Sequence, residues 1–242
     1  MPEGPSIVIL KEAVASFKNR KIVSVEGTQK AMFRIVEEAK VTDFKTWGKH
    51  FLICFQKETI KVHFLLFGSY TINERKVNRE PKLRLKFPNG EISFYACQIT
   101  LLNEKPREIY DWSSDILSED WNEKTAHEKV RAQGKKLICD VLVDQEIFAG
   151  SGNIIKNEVL FICRLHPETE AQNLSAAQSL KLVRTVRKYA FQFLNWKKNG
   201  VFMKHCKVYK QKNCSVCGKP ITVKVTGKSK RKSYFCHHDQ KK

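Results

Sequence analysis

The apolar residues of this chain change their spacing once, and that change limits the fold more than any single motif. From about Lys21 to Leu102 they fall in short β-type runs, among them Phe51 to Phe55, Ile60 to Phe64, Leu83 to Phe87 and Ile92 to Tyr95. Leu83, Leu85 and Phe87 alternate strictly with charged residues, as a strand with one buried face requires, and Asn89-Gly90 between two such runs is a strong hairpin signal. Such a series predicts a β-sandwich or barrel. A polar, acidic stretch from Asn103 to Lys124, containing Pro106, reads as a linker, and beyond it the period becomes helical. Leu137, Val141, Ile147 and Phe148 begin an apolar face; the segment Phe148 to Asn153 interrupts it, and the helical pattern resumes at Ile154. A third, long helix is predicted from Ser175, with Gln178 completing a capping box, to Gly200 as its stop. Ahead of the β runs, Ile7, Leu10, Val14 and Phe17 recur at helical spacing, with Pro5 suited to the first turn. Strands followed by helices make an α+β chain, and at 242 residues one or two domains are expected.

Charge narrows the partner. Across 242 residues, 44 Lys and Arg face 25 Asp and Glu, a net charge of +19. So large an excess makes a polyanion the natural ligand, with counterion release supplying much of the affinity. Anionic membrane is the competing surface, but no apolar run is long enough to span a bilayer and no lipidation signature is present. The start, acidic and proline-bearing, does not read as a signal peptide, so the expectation is a soluble, intracellular protein. Of eight cysteines, Cys54, Cys97, Cys139 and Cys163 are scattered singly through apolar segments, where a thiol is a small hydrophobe. A reducing compartment fits this distribution best.

Three stretches carry chemistry. If Met1 is removed, Pro2 presents a secondary α-amine, a group that titrates near ~8 rather than the ~10.4 of lysine and is therefore partly nucleophilic at neutral pH. Attack of such an amine on a sugar C1′ yields a cationic iminium that acidifies the C2′ proton, and Glu3 stands beside it as an acid or base. Met-Pro-Glu is otherwise an ordinary frayed start. Between helices, Phe148-Ala149-Gly150-Ser151-Gly152-Asn153 can bring backbone N–H groups of Gly152 and the side chain of Asn153 to a phosphate at a helix amino terminus, or it is simply a good turn. The tail from Lys204 onward carries twelve Lys and Arg against one acid, Asp239. Within it, Cys214-Ser-Val-Cys217-Gly is a zinc knuckle and Cys236 follows after a basic hairpin-like segment. The register puts the fourth ligand at Asp239, with His238 as the alternative. Arg231 falls in that basic segment, where a solvated phosphate contact is its plain reading.

With those residues together, the chain resembles the formamidopyrimidine-DNA glycosylase and endonuclease VIII family along essentially its whole length. Four separated motifs carry the likeness: Pro2-Glu3-Gly4-Pro5, Gly48-Lys49 in a β segment, Phe148 to Asn153, and the terminal finger. The resemblance implies an amino-terminal β-sandwich domain over residues 1–115, a helix-two-turn-helix domain over 116–204 and a zinc-finger hairpin over 205–242, with DNA across the cleft between them. It makes Pro2 the Schiff-base nucleophile, Glu3 the general acid/base, and Lys49 a holder of phosphate near the damaged nucleotide. Asn153 and Arg231 clamp phosphates. A base must leave the duplex before an amine can reach C1′, and Leu65-Leu66-Phe67, otherwise core, match the residues the family inserts into the gap.

The branch resembled is endonuclease VIII. Gly4 replaces the leucine usual in the other branch, and Tyr95 to Leu102 lacks that branch's arginine-phenylalanine wedge. The implied activity is that of a bifunctional glycosylase and abasic-site lyase, cleaving by β,δ-elimination and favouring oxidised pyrimidines. It would carry one structural Zn2+ and no catalytic metal, and work as a monomer on damaged double-stranded DNA in a cytoplasmic (bacterial nucleoid-associated) or nuclear setting. Two residues depart from the pattern. Ser6 stands where the family nearly always has a second glutamate, which leaves a non-cleaving damage sensor as the alternative function, and Asp239 stands in place of a cysteine.

Overall fold

The computed structural model describes residues 2–241. Met1, whose removal the Pro2 reading requires, lies outside them. The chain forms two compact units: Pro2 with Ser6–Tyr110, and Glu3–Pro5 with the chain from Asp111 onward. The expected boundary at residues 115 and 116 falls inside the second unit, and the finger belongs to that unit as well.

Helix α1 (Gly4–Ala13) precedes β1 (Ser24–Glu26), a one-turn α2 (Lys30–Phe33), and β2 (Asp43–Trp47) through β3 (His50–Cys54), β4 (Thr59–His63), β5 (Ser69–Ile72), β6 (Leu83–Phe87), β7 (Gly90–Tyr95) and β8 (Gln98–Leu102). The strands make two four-stranded sheets, ordered β1-β6-β7-β5 and β2-β3-β4-β8, with every pairing antiparallel. Leu83, Leu85 and Phe87 of one sheet and Phe51, Ile53 and Val62 of the other share one core with Ile7, Leu10 and Phe17. Phe17 stacks on Phe87 with ring centroids 4.6 Å apart, so the first helix is sealed onto the sandwich by its apolar stripe. The β6–β7 hairpin forms where the sequence signals it, but Phe87 pairs with Gly90, so Pro88-Asn89 is the two-residue turn and Gly90 opens β7.

The polar stretch after β8 is more than a linker. It holds α3 (Pro106–Ile109) and a 3-10 turn at Trp112–Ser114. Ala149 donates its N–H to Ser114 O at 2.9 Å and Ile116 donates to Ala149 O at 3.1 Å, which binds residues 114–116 into the second unit. Helix α4 (Glu123–Arg131) begins at Asn122, whose Oδ1 accepts from Thr125 N at 3.0 Å. The single turn α5 (Ile138–Val141), α6 (Asn153–Cys163) and the long α7 (Ala176–Lys198) follow. Helix α7 starts with the Ser175–Gln178 capping box that the sequence predicts. Val130, Ile138, Phe148, Ile155, Leu160, Val186 and Phe193 form this unit's core. Strands β9 (Thr222–Thr226) and β10 (Arg231–Phe235) make the finger hairpin. Among the described residues no helix is long and apolar enough to cross a membrane.

Candidate functional site

Glu3 is fully buried at the amino terminus of α6. Its Oε1 accepts from Ile154 N at 2.6 Å, and its Oε2 accepts from Gly152 N and Ile155 N, each at 3.2 Å. The unpaired N–H groups of a helix start, and the positive end of its dipole, are satisfied here by a carboxylate from the other end of the sequence. Gly4 adds a backbone bond to Gly150 O at 2.9 Å. The sequence reading saw the glycines of this turn as a phosphate cradle. In the folded chain the anion that Gly152 approaches is Glu3: a Cβ on Gly152 would lie 2.5 Å from the Glu3 carboxyl carbon and from Oε1. Gly152 is thus needed for space. Beside it Asn153, the first residue of α6, is partly exposed, with a buried Oδ1 that has no hydrogen-bond partner.

Pro2, Lys49 and Leu65 to Phe67 belong to the first unit. Pro2 is partly exposed. Trp47 pairs with His50 across the β2–β3 ladder, so Gly48-Lys49 is the turn joining two strands rather than part of one; Gly48 takes φ +55°. Under this turn lies an aromatic cluster the sequence reading missed. His50 Nδ1 is 3.1 Å from the Tyr110 hydroxyl, Tyr110 stacks on Trp47 at 4.5 Å, and His63 Nδ1 is 3.4 Å from Lys49 O. Burial, then the charges of His63, Lys61 and Lys49, lower the His50 pKa to about 4, so that ring is neutral at pH 7. Leu65, Leu66 and Phe67 are not core. They are 48%, 58% and 83% exposed on the β4–β5 connection, where Leu65 takes φ +52°.

Helix α6 continues with three buried polar residues in a row, Lys156, Asn157 and Glu158. Lys156 Nζ donates to Ser233 Oγ at 2.9 Å and to Lys232 O at 3.3 Å, and Asn157 Oδ1 accepts from Tyr234 N at 3.0 Å. The Glu158 carboxylate accepts from the N–H groups of Lys207, Val208 and Tyr209 at 2.9, 3.0 and 2.8 Å. Burial pushes the Lys156 pKa down to about 8 and raises that of Glu158. These residues fasten the finger to α6. A polar triplet inside an apolar helix was visible in the sequence, but nothing local named its partners. Arg231, partly exposed, opens β10 opposite Thr226.

At the far end of the finger, ligand atoms of Cys214, Cys217, Cys236 and Asp239 all lie within 4.8 Å of one another. Cys214 Sγ is 3.0 Å from Asp239 Oδ2, and Cys217 Sγ is 3.4 Å from Cys236 Sγ. Tetrahedral zinc with Zn–S bonds of about 2.3 Å sets its sulfurs about 3.8 Å apart, so this donor set fits the ion. His238 is turned away, its Nε2 2.6 Å from Lys219 Nζ, and Asp239 is the residue that completes the cluster.

Comparison with known proteins places these features. A family model described as the formamidopyrimidine-DNA glycosylase N-terminal domain matches residues 1–100, and one described as the formamidopyrimidine-DNA glycosylase H2TH domain matches residues 113–203. Endonuclease 8-like 3 of Mus musculus is 37% identical over 205 residues, covering 81% of this chain and 34% of that protein. The chain therefore spans about a third of that relative's length. A formamidopyrimidine-DNA glycosylase of Actinobacillus pleuropneumoniae is 26% identical, covering 99% of this chain and 98% of its own. Among solved structures, Lactococcus lactis Fpg bound non-covalently to DNA containing an AP site superposes with a TM-score of 0.86 at 22% identity, covering 99% of this chain and 100% of that one.

Proposed function

Because the chain belongs to the formamidopyrimidine-DNA glycosylase and endonuclease VIII family, we propose that it is a DNA-repair glycosylase that also cuts the strand at the resulting abasic site, through a Schiff base on Pro2. The observation that carries the reading is Glu3. Its carboxylate, withdrawn from solvent onto three N–H groups of α6, fixes the backbone one residue after Pro2. A nucleophile needs a rigid mount, and the residue that follows Pro2 in the chain is held by three backbone bonds.

In this mechanism the Pro2 nitrogen sheds its proton and bonds to C1′, while the base leaves with the electron pair of the glycosidic bond and takes up a proton. The C1′–O4′ bond then opens, Glu3 passes to O4′ the proton it has taken from the Pro2 nitrogen, and a cationic iminium remains. Loss of a C2′ proton expels the 3′ phosphate, and a second elimination expels the 5′ phosphate, leaving a one-nucleotide gap with phosphate at both ends; water then hydrolyses the iminium, releasing the unsaturated sugar remnant as an aldehyde and returning Pro2 as a free amine. Lys49, Asn153 and Arg231 hold backbone phosphates around the extruded nucleotide, and Leu65, Leu66 and Phe67, already exposed, fill the space it leaves. The preferred lesions are oxidised pyrimidines. Cys214, Cys217, Cys236 and Asp239 would hold one Zn2+ ion, which would cross-link the finger.

Borohydride reduces an iminium, so incubation with an abasic-site duplex in the presence of EDTA should leave protein covalently joined to DNA and release phosphate-ended fragments. A Pro2→Gly variant, or a protein extended before Pro2, should trap poorly. Equal trapping by the extended form refutes the Pro2 assignment. Tight binding of an abasic analogue with neither trapping nor cleavage supports a damage sensor instead.

A further inference from the structure

We propose that Asp140 positions Arg231, by anchoring the hairpin tip from which that arginine emerges; the proposal rests on the reading of Arg231 as a phosphate clamp. Asp140 sits in the one-turn helix α5, 7% exposed, beside Ile138, Cys139 and Val141, which are exposed by no more than 1%. An acid in such company needs partners. Its Oδ2 accepts from Lys228 N at 2.8 Å and its Oδ1 accepts from Ser229 N at 3.0 Å. Two successive backbone N–H groups on one anion form a nest, here filled by the protein's own carboxylate.

The turn is shaped around that contact. Gly227 takes φ +68°, and a Cβ there would fall on both Asp140 carboxylate oxygens. Lys230 also takes a positive φ, +48°, and its N–H closes onto Gly227 O at 3.3 Å. The next residue is Arg231. The tip, Gly227-Lys228-Ser229-Lys230, offers no apolar side chain to a core. The strands just below the tip are held separately: Thr226, the ladder partner of Arg231, has its Oγ1 2.6 Å from Ser233 Oγ, and Lys156 Nζ donates to Ser233 Oγ. Arg231, the first residue of β10, therefore stands where strands fastened to α6 meet a tip fastened to Asp140. Removing the second anchor frees a stretch crowded with Lys228, Lys230 and Lys232, whose mutual repulsion then favours many conformations.

The test is duplex binding, with a tetrahydrofuran abasic analogue as probe and anisotropy measured across a series of salt concentrations. The proteins are wild type, Asp140→Asn, Arg231→Ala and the double variant. Asparagine keeps one acceptor and turns an NH2 toward the other N–H. We expect roughly tenfold weaker binding for each single variant, as for loss of one charge-assisted contact, and no further loss in the double variant. The slope of log Kd against log salt should fall by about one in Asp140→Asn, as in Arg231→Ala, because one phosphate contact has gone. A general loss of stability would leave that slope unchanged. Should Asp140→Asn fold poorly, Gly227→Ala disturbs the same contact from the other side and should give the same loss and slope. Losses that multiply in the double variant, or a wild-type slope in Gly227→Ala, overturn the proposal. Binding that is indifferent to Arg231 instead overturns the phosphate-clamp reading beneath it.

Discussion

Replacing Gly152 with alanine tests whether Glu3 and α6 form one unit. The backbone at Gly152 has φ −137°, outside the left-handed region, so the penalty is steric rather than conformational. The added methyl would stand 2.5 Å from Glu3 Cδ and Oε1 and 2.6 Å from Cγ, where ordinary contact is 3.4–4 Å. Glu3 must retreat by about 1 Å, which carries bonds of 2.6, 3.2 and 3.2 Å toward or past the hydrogen-bonding limit. Loss of two of the three, at about 1.5 kcal/mol for each bond to a charged acceptor, predicts about 3 kcal/mol of destabilisation. Chemical denaturation of wild type, Gly152→Ala, Glu3→Ala and the double variant measures it. With the carboxylate gone the methyl has room, so alanine at 152 should cost less than about 1 kcal/mol in that background, a coupling of about 2 kcal/mol or more. Borohydride trapping should fall along with stability in Gly152→Ala. Equal costs in the two backgrounds would refute the argument that this glycine exists to admit Glu3.

Three further outcomes follow from the geometry. Lys156 has a folded pKa of about 8 against 10.5 unfolded, so between those values the unfolded chain holds a proton that the folded chain has released, and stability from this site rises with pH. The stability difference between wild type and Lys156→Met should therefore shift by about 3 kcal/mol in favour of wild type from pH 7.5 to 10.5, and a flat difference in urea melts would contradict the burial of a titrating amine. Asp239→Asn should weaken Zn2+ binding at least roughly tenfold, and Asp239→Cys should strengthen it, in competition with a chromophoric chelator. Affinity that ignores both changes would remove Asp239 from the ligand set. Ser6→Glu should raise the rate of base excision relative to cleavage of a pre-formed abasic site in single-turnover assays, and an unchanged ratio would show that Ser6 does not limit the first step.

What could be read from the sequence was what is decided locally. The Ser175–Gln178 capping box is contained within one helix start and forms where the sequence predicts it, and the Cys214–Cys217 spacing is visible locally although the ligand atoms they meet belong to Cys236 and Asp239. Composition alone reads Leu65, Leu66 and Phe67 as core, and the structure exposes them, because apolar side chains look alike in either role until the neighbouring strands are placed. The reason for Gly152 was misread for a related cause. A glycine before a helix suggests a bound anion, but the anion is Glu3, and no local pattern joins positions so far apart. Nothing local in the sequence marks Asp140, Lys156 and Glu158 as buried. Their burial depends on the finger folding back onto α5 and α6, a tertiary event. The polar stretch after β8 was called a linker on composition, whereas backbone bonds to Ala149 give it a fixed course.

Glu3 precedes Gly152 by 149 residues, and the separation bears on how the protein comes into being. A ribosome adds residues at about 5–20 per second, so the amino end waits about 7 to 30 s before the amides that will receive it exist. Until then its carboxylate stays hydrated, and the later closure of so long a loop is entropically slow. Competence for the proposed chemistry should then appear as the last event of refolding, after the sandwich has gained its fluorescence, which gives the nascent chain an interval in which it is folded in part and inert toward DNA.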